Sequence, residues 1–328
     1  MKDKIEHHQA RIYFICIFIA AGYGLIFPHS AAALHKWVSI VIAIVLFSMF
    51  SQIPFPSFTH VFRNRRFTIA LLLVNFVVVP IVVWVLSFYL HNEPRLLLGV
   101  YLVLLVPCVD YVIIFTALGG GNEKLMLLST PILFVLQMVL LPIFLMLFLG
   151  ENAEGFVHAK PFITAFVDLI VIPLGIAVFL QIYANRSSTG TQLVRVSSWL
   201  PVPFMALTLF IIVASQLAKI LNEFNIVIKV IPIYVAFMVV MPIISKYIAI
   251  MFKLNISSGR TLLFSGSTRN SLVVLPLAFA LPEHERVIVS AVIVTQTIVE
   301  LIGELIYIWL VPNILLRETP YKKRADTI

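Results

Sequence analysis

The chain has 328 residues, 61% of them hydrophobic and only 12% charged, with a formal net charge of +8. Globular domains carry about 25% charged residues, so a soluble fold is excluded and a polytopic membrane protein is expected. The positive balance does not indicate nucleic acid, because Lys and Arg lie in short loops and at the termini, where membrane insertion places them.

Ten stretches have the roughly 20 apolar residues that a spanning helix needs. They run at about 12–28, 37–54, 67–90, 96–119, 125–149, 161–184, 198–221, 226–251, 261–281 and 287–312. Residues 1–10 are polar, and the run after them lacks a small-residue cleavage pattern, so it reads as a first membrane helix and not a removable signal. The longest connection, Asn185 to Ser198, is polar and lies near mid-chain. With the N-terminus inside, 16 of the 23 Lys and Arg fall on the cytoplasmic side and 6 outside; Arg269 is within a span. That bias puts both termini in the cytoplasm, with 313–328 as a cytoplasmic tail.

An internal repeat follows from position. A shift of 162 residues carries Glu123-Lys124 onto Glu285-Arg286, Cys108 onto Asn270, and Gln137 to within one residue of Glu300. Five spans per half is odd, so the halves, about 10–150 and 160–312, have opposite topology. Inverted repeats of this kind place binding sites on interrupted helices at matching positions. The expected fold is all-α: ten transmembrane helices in two inverted five-helix repeats within one domain, with helices four and nine broken and crossing.

The interruption in segment four runs from Leu105 to Asn122 and includes Pro107, Cys108, Asp110 and the triple glycine Gly119 to Gly121. Proline removes a backbone donor and clashes with the preceding turn. The matching interruption in segment nine is the polar island Gly266-Ser-Thr-Arg-Asn-Ser271. The ionisable residues inside spans are Asp110, Asp168, Arg269, Glu300 and Glu304. Each costs at least ~2.5 kcal/mol if it faces lipid near the bilayer centre. Asp168 reads as a helix-end residue. Arg269 and Glu300 lie deep and read as a paired, water-lined site.

Glu300 and Glu304 are four apart, on one helical face. Two close carboxylates disfavour double ionisation, which makes one a candidate proton carrier. A second reading places only Glu300 toward the core, with Glu304 at the boundary. Cys16 reads as a small buried hydrophobe. Cys108 sits among a helix breaker, a carboxylate and glycines, and a single thiol there holds a soft metalloid weakly enough to release it. Asn75, Thr268, Gln296, Gln137 and Asn270 are polar groups on apolar segments, which interhelical hydrogen bonding explains. Gln137 and Asn270 also stand at matched repeat positions.

Pro107-Cys108, Gly121-Asn122 and Gln137 resemble helices four and five of the arsenite efflux family Acr3, of the bile acid:sodium symporter superfamily. Cys108 stands at that family's spacing before a Gly-Asp pair, here Gly121-Asn122. Its tenth-helix glutamate corresponds to Glu300 in Thr297-Ile-Val-Glu-Leu301. The specific resemblance covers about 100–140 and 262–312. Pro107 stands where the family has an arginine. The family's Asn-Asn pair in helix nine is replaced here by Thr268-Arg269-Asn270-Ser271. Ser265 and Arg269 stand where the sodium-coupled bile-acid branch has Glu and Gln. A fixed positive charge there disfavours sodium and suits proton coupling or an anionic substrate.

The resemblance implies a secondary transporter in the plasma membrane, exporting arsenite, with antimonite as a further candidate, by proton antiport. Cys108, Asp110, Asn270 and Gln137 would line the substrate site, and Glu300, Glu304 and Arg269 would handle the proton. The partners expected are the metalloid, protons and the lipid bilayer, with no cofactor, no resident metal and no nucleic acid. An alternative is organic-anion symport, driven by sodium or protons, with the anion held by Arg269 and half-helix N-termini. An intramembrane enzyme or sensor is a remote third reading, because the chain has no His-Glu-x-x-His, Gly-x-Ser-x-Gly or paired-aspartate motif.

Overall fold

The computed structural model describes residues 9–51, 64–90, 92–109, 111–150, 167, 171–222, 228–279 and 281–317. Asp110 and Asp168 lie outside these described residues. The described secondary structure is helical apart from one isolated two-residue bridge. In order the helices are α1 (Gln9–Ile26), α2 (Pro28–Ala33), α3 (Val38–Phe50), α4 (Arg65–Leu90), α5 (Pro94–Leu104), α6 (Val112–Leu118) and α7 (Glu123–Leu149). They continue as α8 (Ile172–Ala184), α9 (Ser188–Ser197), α10 (Pro201–Asn222), α11 (Ile231–Met251), α12 (Ile256–Ser267), α13 (Ser271–Phe279) and α14 (Glu283–Leu310).

Among the described residues, Arg65–Leu90, Glu123–Leu149, Ile228–Met251 and Glu285–Leu315 are each long and apolar enough to cross a bilayer unaided. The outward faces are apolar too: Phe18, Met146, Leu147, Phe179 and Trp309 are all more than half exposed. Large side chains of this kind stay exposed where the surroundings are lipid. The chain is therefore a multi-pass membrane protein.

Expected spans four and nine are each two helices, α5 with α6 and α12 with α13. The polar linker expected at 185–198 is also different: it contains α9. This helix folds back on α8, where Thr191 Oγ1 donates to the Ala184 carbonyl at 3.0 Å. A Cβ on Gly190 would come within 2.7 Å of the Ala184 backbone, so glycine permits the approach.

The helices pack as two groups. In the first, α1 lies along α10, and α3 packs on α8 and α10. In the second, α5 packs on α7 and α14, α11 on α4 and α12, and α14 on α11 and α13. Contacts of α10 with α14 and of α3 with α13 join the groups. The Phe50 and Phe134 rings, 4.5 Å apart, add a bridge from α3 to α7. Both broken helices belong to the second group.

Candidate functional site

The first break begins where α5 stops at Leu104, and Pro107 has no N–H to continue a helical ladder. Proline alone is not the cause. Pro131 and Pro142 sit inside the continuous α7, and Pro242 inside α11. What differs at Pro107 is a partner. The Cys108 N–H donates to the Thr268 carbonyl at 3.2 Å, and the Asn270 N–H donates to the Val106 carbonyl at 2.9 Å. Pro107 and Arg269 form the antiparallel bridge between these bonds. The two are 162 positions apart, the offset that relates Glu123-Lys124 to Glu285-Arg286. Unpaired backbone at membrane depth costs several kcal/mol per group, so each break satisfies the other.

Thr268 is extended, with φ −98° and ψ 130°, which ends α12. Asn270 starts α13, its Oδ1 accepting from the Val273 N–H at 3.2 Å. The second break is thus built from side chains that compete with or cap the helix, without proline.

Glu300, on α14, is the hub beneath the crossing and is fully buried. Its Oε1 is 2.6 Å from the Tyr111 hydroxyl. Its Oε2 accepts from the Arg269 N–H at 2.8 Å and from Gln296 Nε2. The Tyr111 hydroxyl is also 2.9 Å from the Arg269 carbonyl. A phenol has one hydrogen, so these bonds sort into two states. With Glu300 ionised, three donors serve its carboxylate. With Glu300 protonated on Oε1, the acid donates to Tyr111, and Tyr111 donates onward to Arg269. The Glu300 carboxyl is served in both states without moving a heavy atom, and the Arg269 carbonyl receives the Tyr111 hydrogen only in the second.

Glu304 is buried as well, so the reading that places it at the boundary does not hold. Thr268 Oγ1 lies 2.7 Å from Glu304 Oε1 and 2.7 Å from the Phe264 carbonyl. The second carboxyl oxygen, Oε2, has no partner among the described residues. One hydroxyl hydrogen between two acceptors, beside an unpartnered oxygen, fits the carboxylic acid better than the carboxylate.

Arg269 turns its guanidinium away from both carboxyls. Nη2 donates to Asn75 Oδ1 at 2.9 Å and to the Ser265 carbonyl at 2.6 Å, and Cζ lies 5.6 Å from the centre of the Phe237 ring. Asn75 lies in a π turn of α4, Val74–Val78, and its Nδ2 donates to the Leu71 carbonyl and to Ser265 Oγ. π turns inside α-helices concentrate at functional sites. Asn75 makes the interhelical hydrogen bonds expected of it, to Ser265 on α12 and to the buried cation. Arg269 Nε and Nη1 are buried without a partner among the described residues.

Of the remaining expected residues, Cys108 is buried in the first break, its backbone in the bridge. Gln137 is buried on α7 with neither amide atom partnered, and Asn270 Nδ2 is likewise unpartnered. Asn122 caps α7, its Oδ1 accepting from the Leu125 N–H at 2.9 Å. The triple glycine is not part of the break; it closes α6 against α12. Gly120 has φ +70°, and a Cβ on Gly119 would collide with the Phe264 ring. Among the described residues no group of three His, Cys, Asp or Glu side chains converges as a metal-ligand set.

Two contributors escaped the sequence reading. Tyr111 and Phe237 are aromatic residues in apolar runs, where nothing marks a hydroxyl or a ring face as polar contact. Ser265, singled out in the sequence beside Arg269, accepts from the guanidinium through its backbone carbonyl, to which residue type is blind. The available signal was Tyr111's place directly after a break.

Paired broken helices around buried charges, inside an apolar multi-pass bundle, are the architecture of a secondary transporter. Residues 39–223 match the Sodium Bile acid symporter family, which is more than half the chain, and the chain belongs to that family. It is also similar to "Uncharacterized sodium-dependent transporter YocS" of Bacillus subtilis (strain 168), 27% identical over 148 residues. That alignment covers 45% of this chain and 46% of the relative, so it spans about half the length of each. The family match includes the first break and α7 but ends before α12, so Arg269, Glu300 and Glu304 lie beyond it.

Proposed function

We propose that the chain is a proton-coupled transporter that exports arsenite, with antimonite as a related substrate, across the plasma membrane. It is built as ten spans in two inverted repeats, with both termini cytoplasmic. The observation that carries the proton part is the Glu300 hub, whose carboxyl keeps hydrogen-bond partners both with and without the proton. A carrier has to be comfortable in both forms, because it alternates between them. Glu304, one turn on, supplies a second carboxyl to the same interior. Proton coupling is also favoured over sodium by Arg269. Its guanidinium already occupies oxygen acceptors near the C-terminal end of a half-helix, from Asn75 and Ser265. Such helix ends attract cations, and here the cation is covalently attached.

The substrate part rests on Cys108. Arsenite is As(OH)3 near neutral pH. Attack by sulfur forms an S–As bond and expels one hydroxyl, which leaves as water with the thiol proton. A single thiol makes this exchange reversible, as transport requires. Asp110, Asn270 and Gln137 are the proposed neighbours of the bound metalloid. The unpartnered Nε and Nη1 of Arg269 favour a second reading, symport of an organic anion that takes those donors.

Everted vesicles loaded by radiolabelled arsenite separate these readings. Uptake driven by a pH gradient, unaffected by sodium and lost in Cys108→Ser, supports arsenite efflux. Full arsenite transport by Cys108→Ser removes the thiol role. Sodium-driven uptake of an organic anion into intact cells, with no arsenite transport, establishes the second reading instead.

A further inference from the structure

We propose that Tyr111 makes a proton and a hydroxyl-bearing substrate compete for one acceptor, the backbone carbonyl of Arg269. The inference rests on the proton-carrier reading of Glu300. Tyr111 follows the first break, is 4% exposed, and packs its ring edge-on against Phe115 at 6.1 Å. Its hydroxyl spans Glu300 Oε1 and the Arg269 carbonyl, so it reaches from the first break to α14 and to the second break at once.

The Arg269 carbonyl stands between two helices and belongs to neither ladder. The backbone bonds of the bridge use its neighbours, the Thr268 carbonyl and the Asn270 N–H. The Tyr111 hydroxyl is the donor that reaches it. When Glu300 is protonated, Tyr111 donates to this carbonyl and occupies it. When Glu300 is ionised, the charged oxygen is the stronger acceptor and takes the Tyr111 hydrogen. The carbonyl is then a buried acceptor without a donor, which is unfavourable. A substrate O–H relieves it, and As(OH)3 carries three. Cys108 is the residue beside the bridge partner of Arg269, so the thiol-bearing residue and the carbonyl belong to the same paired backbone.

The other charged or titratable groups around Glu300 do not replace Tyr111 in this exchange. Arg269, from the second break, contributes its N–H and, through space, its charge, which also acts on Cys108 and Tyr111. Glu304 and Tyr307, further along α14, interact with Glu300 through space. Among the described residues, Tyr111 alone touches both Glu300 and the carbonyl. Proton and substrate therefore exclude each other, which is the logic of an antiporter.

Two measurements on the purified full-length chain test this. In infrared difference spectra across a pH step, the carboxylic-acid band of Glu300 is the one lost in Glu300→Gln. In Tyr111→Phe, which keeps the ring packing, that band moves to higher frequency, toward a carboxylic acid without a partner. An unchanged frequency overturns the assignment of Tyr111. The second measurement is equilibrium binding of radiolabelled arsenite against pH. In the wild type, affinity weakens by about tenfold per pH unit on the acid side, as one-for-one exchange requires. In Tyr111→Phe the slope falls below about twofold. A retained tenfold slope overturns the competition. If the wild type binds no arsenite at any pH, the substrate reading fails, and the infrared result still decides whether Tyr111 holds the Glu300 proton.

Discussion

The two broken helices reach the same paired backbone by different chemistry. The first break, between α5 and α6, carries a proline and a thiol, and the hydroxyl of Tyr111 follows it. The second, between α12 and α13, has no proline; Thr268 extends the chain and Asn270 caps the next helix. Among the described residues, the first lends neutral groups. The second, with α14, holds the guanidinium and both carboxyls. A helix break in a membrane thus needs no particular residue. It needs a place for its freed donors and acceptors, and here each break is that place for the other. Once that holds, the residue content of the two can diverge.

The largest expected effect strikes the charged half. Glu300→Gln leaves a neutral hub that cannot alternate, and pH-gradient-driven transport falls by roughly 100-fold or more in vesicles. Binding of substrate at fixed pH survives, and becomes insensitive to pH. A variant that still follows the pH gradient places the carrier elsewhere. Next comes the support of the cation. Asn75→Ala removes an oxygen from the buried guanidinium and costs about 2 kcal/mol in denaturant unfolding. A cost near zero means the guanidinium finds another acceptor in place.

The smallest effects compare the breaks directly. Asn270→Ala removes the cap of α13 and costs about 1–2 kcal/mol. Pro107→Ala frees the unfolded chain and costs about 0.5 kcal/mol, with the bridge intact. If Pro107→Ala proves the more damaging of the two, the first break depends on its proline and not on its partner strand. Thermal unfolding of the two purified variants side by side decides this.

Much of the site was legible as residue type and position. Pro107 and the polar island at 266–271 announced two interruptions, and the offset of 162 aligned them before any contact was known. Arg269, Glu300 and Glu304 stood out because charge in an apolar run is rare. Other parts were not legible. The purpose of Asn75 depended on a π turn, which apolar composition does not mark. The triple glycine looked like part of the break because glycine and proline both disrupt helices; its actual role, close contact with Phe264, is a matter of packing. Residues 185–198 looked like a loop because they are polar, but a polar face suits α9, most of whose residues are exposed.

By itself the sequence determined that this chain lives in a membrane, and that two of its apolar stretches are interrupted by polar or helix-breaking residues. Composition decides the solvent, and charges inside spans are too costly to be incidental. Only the tertiary structure decided what those groups do. Helices from both halves of the chain meet in each packed group, α1 to α3 with α8 to α10, and α4 to α7 with α11 to α14. That interleaving brings Tyr111 to Glu300 across 189 positions and Asn75 to Arg269 across 194. No local pattern records such distances, because a hydrogen bond requires proximity in space and not in sequence.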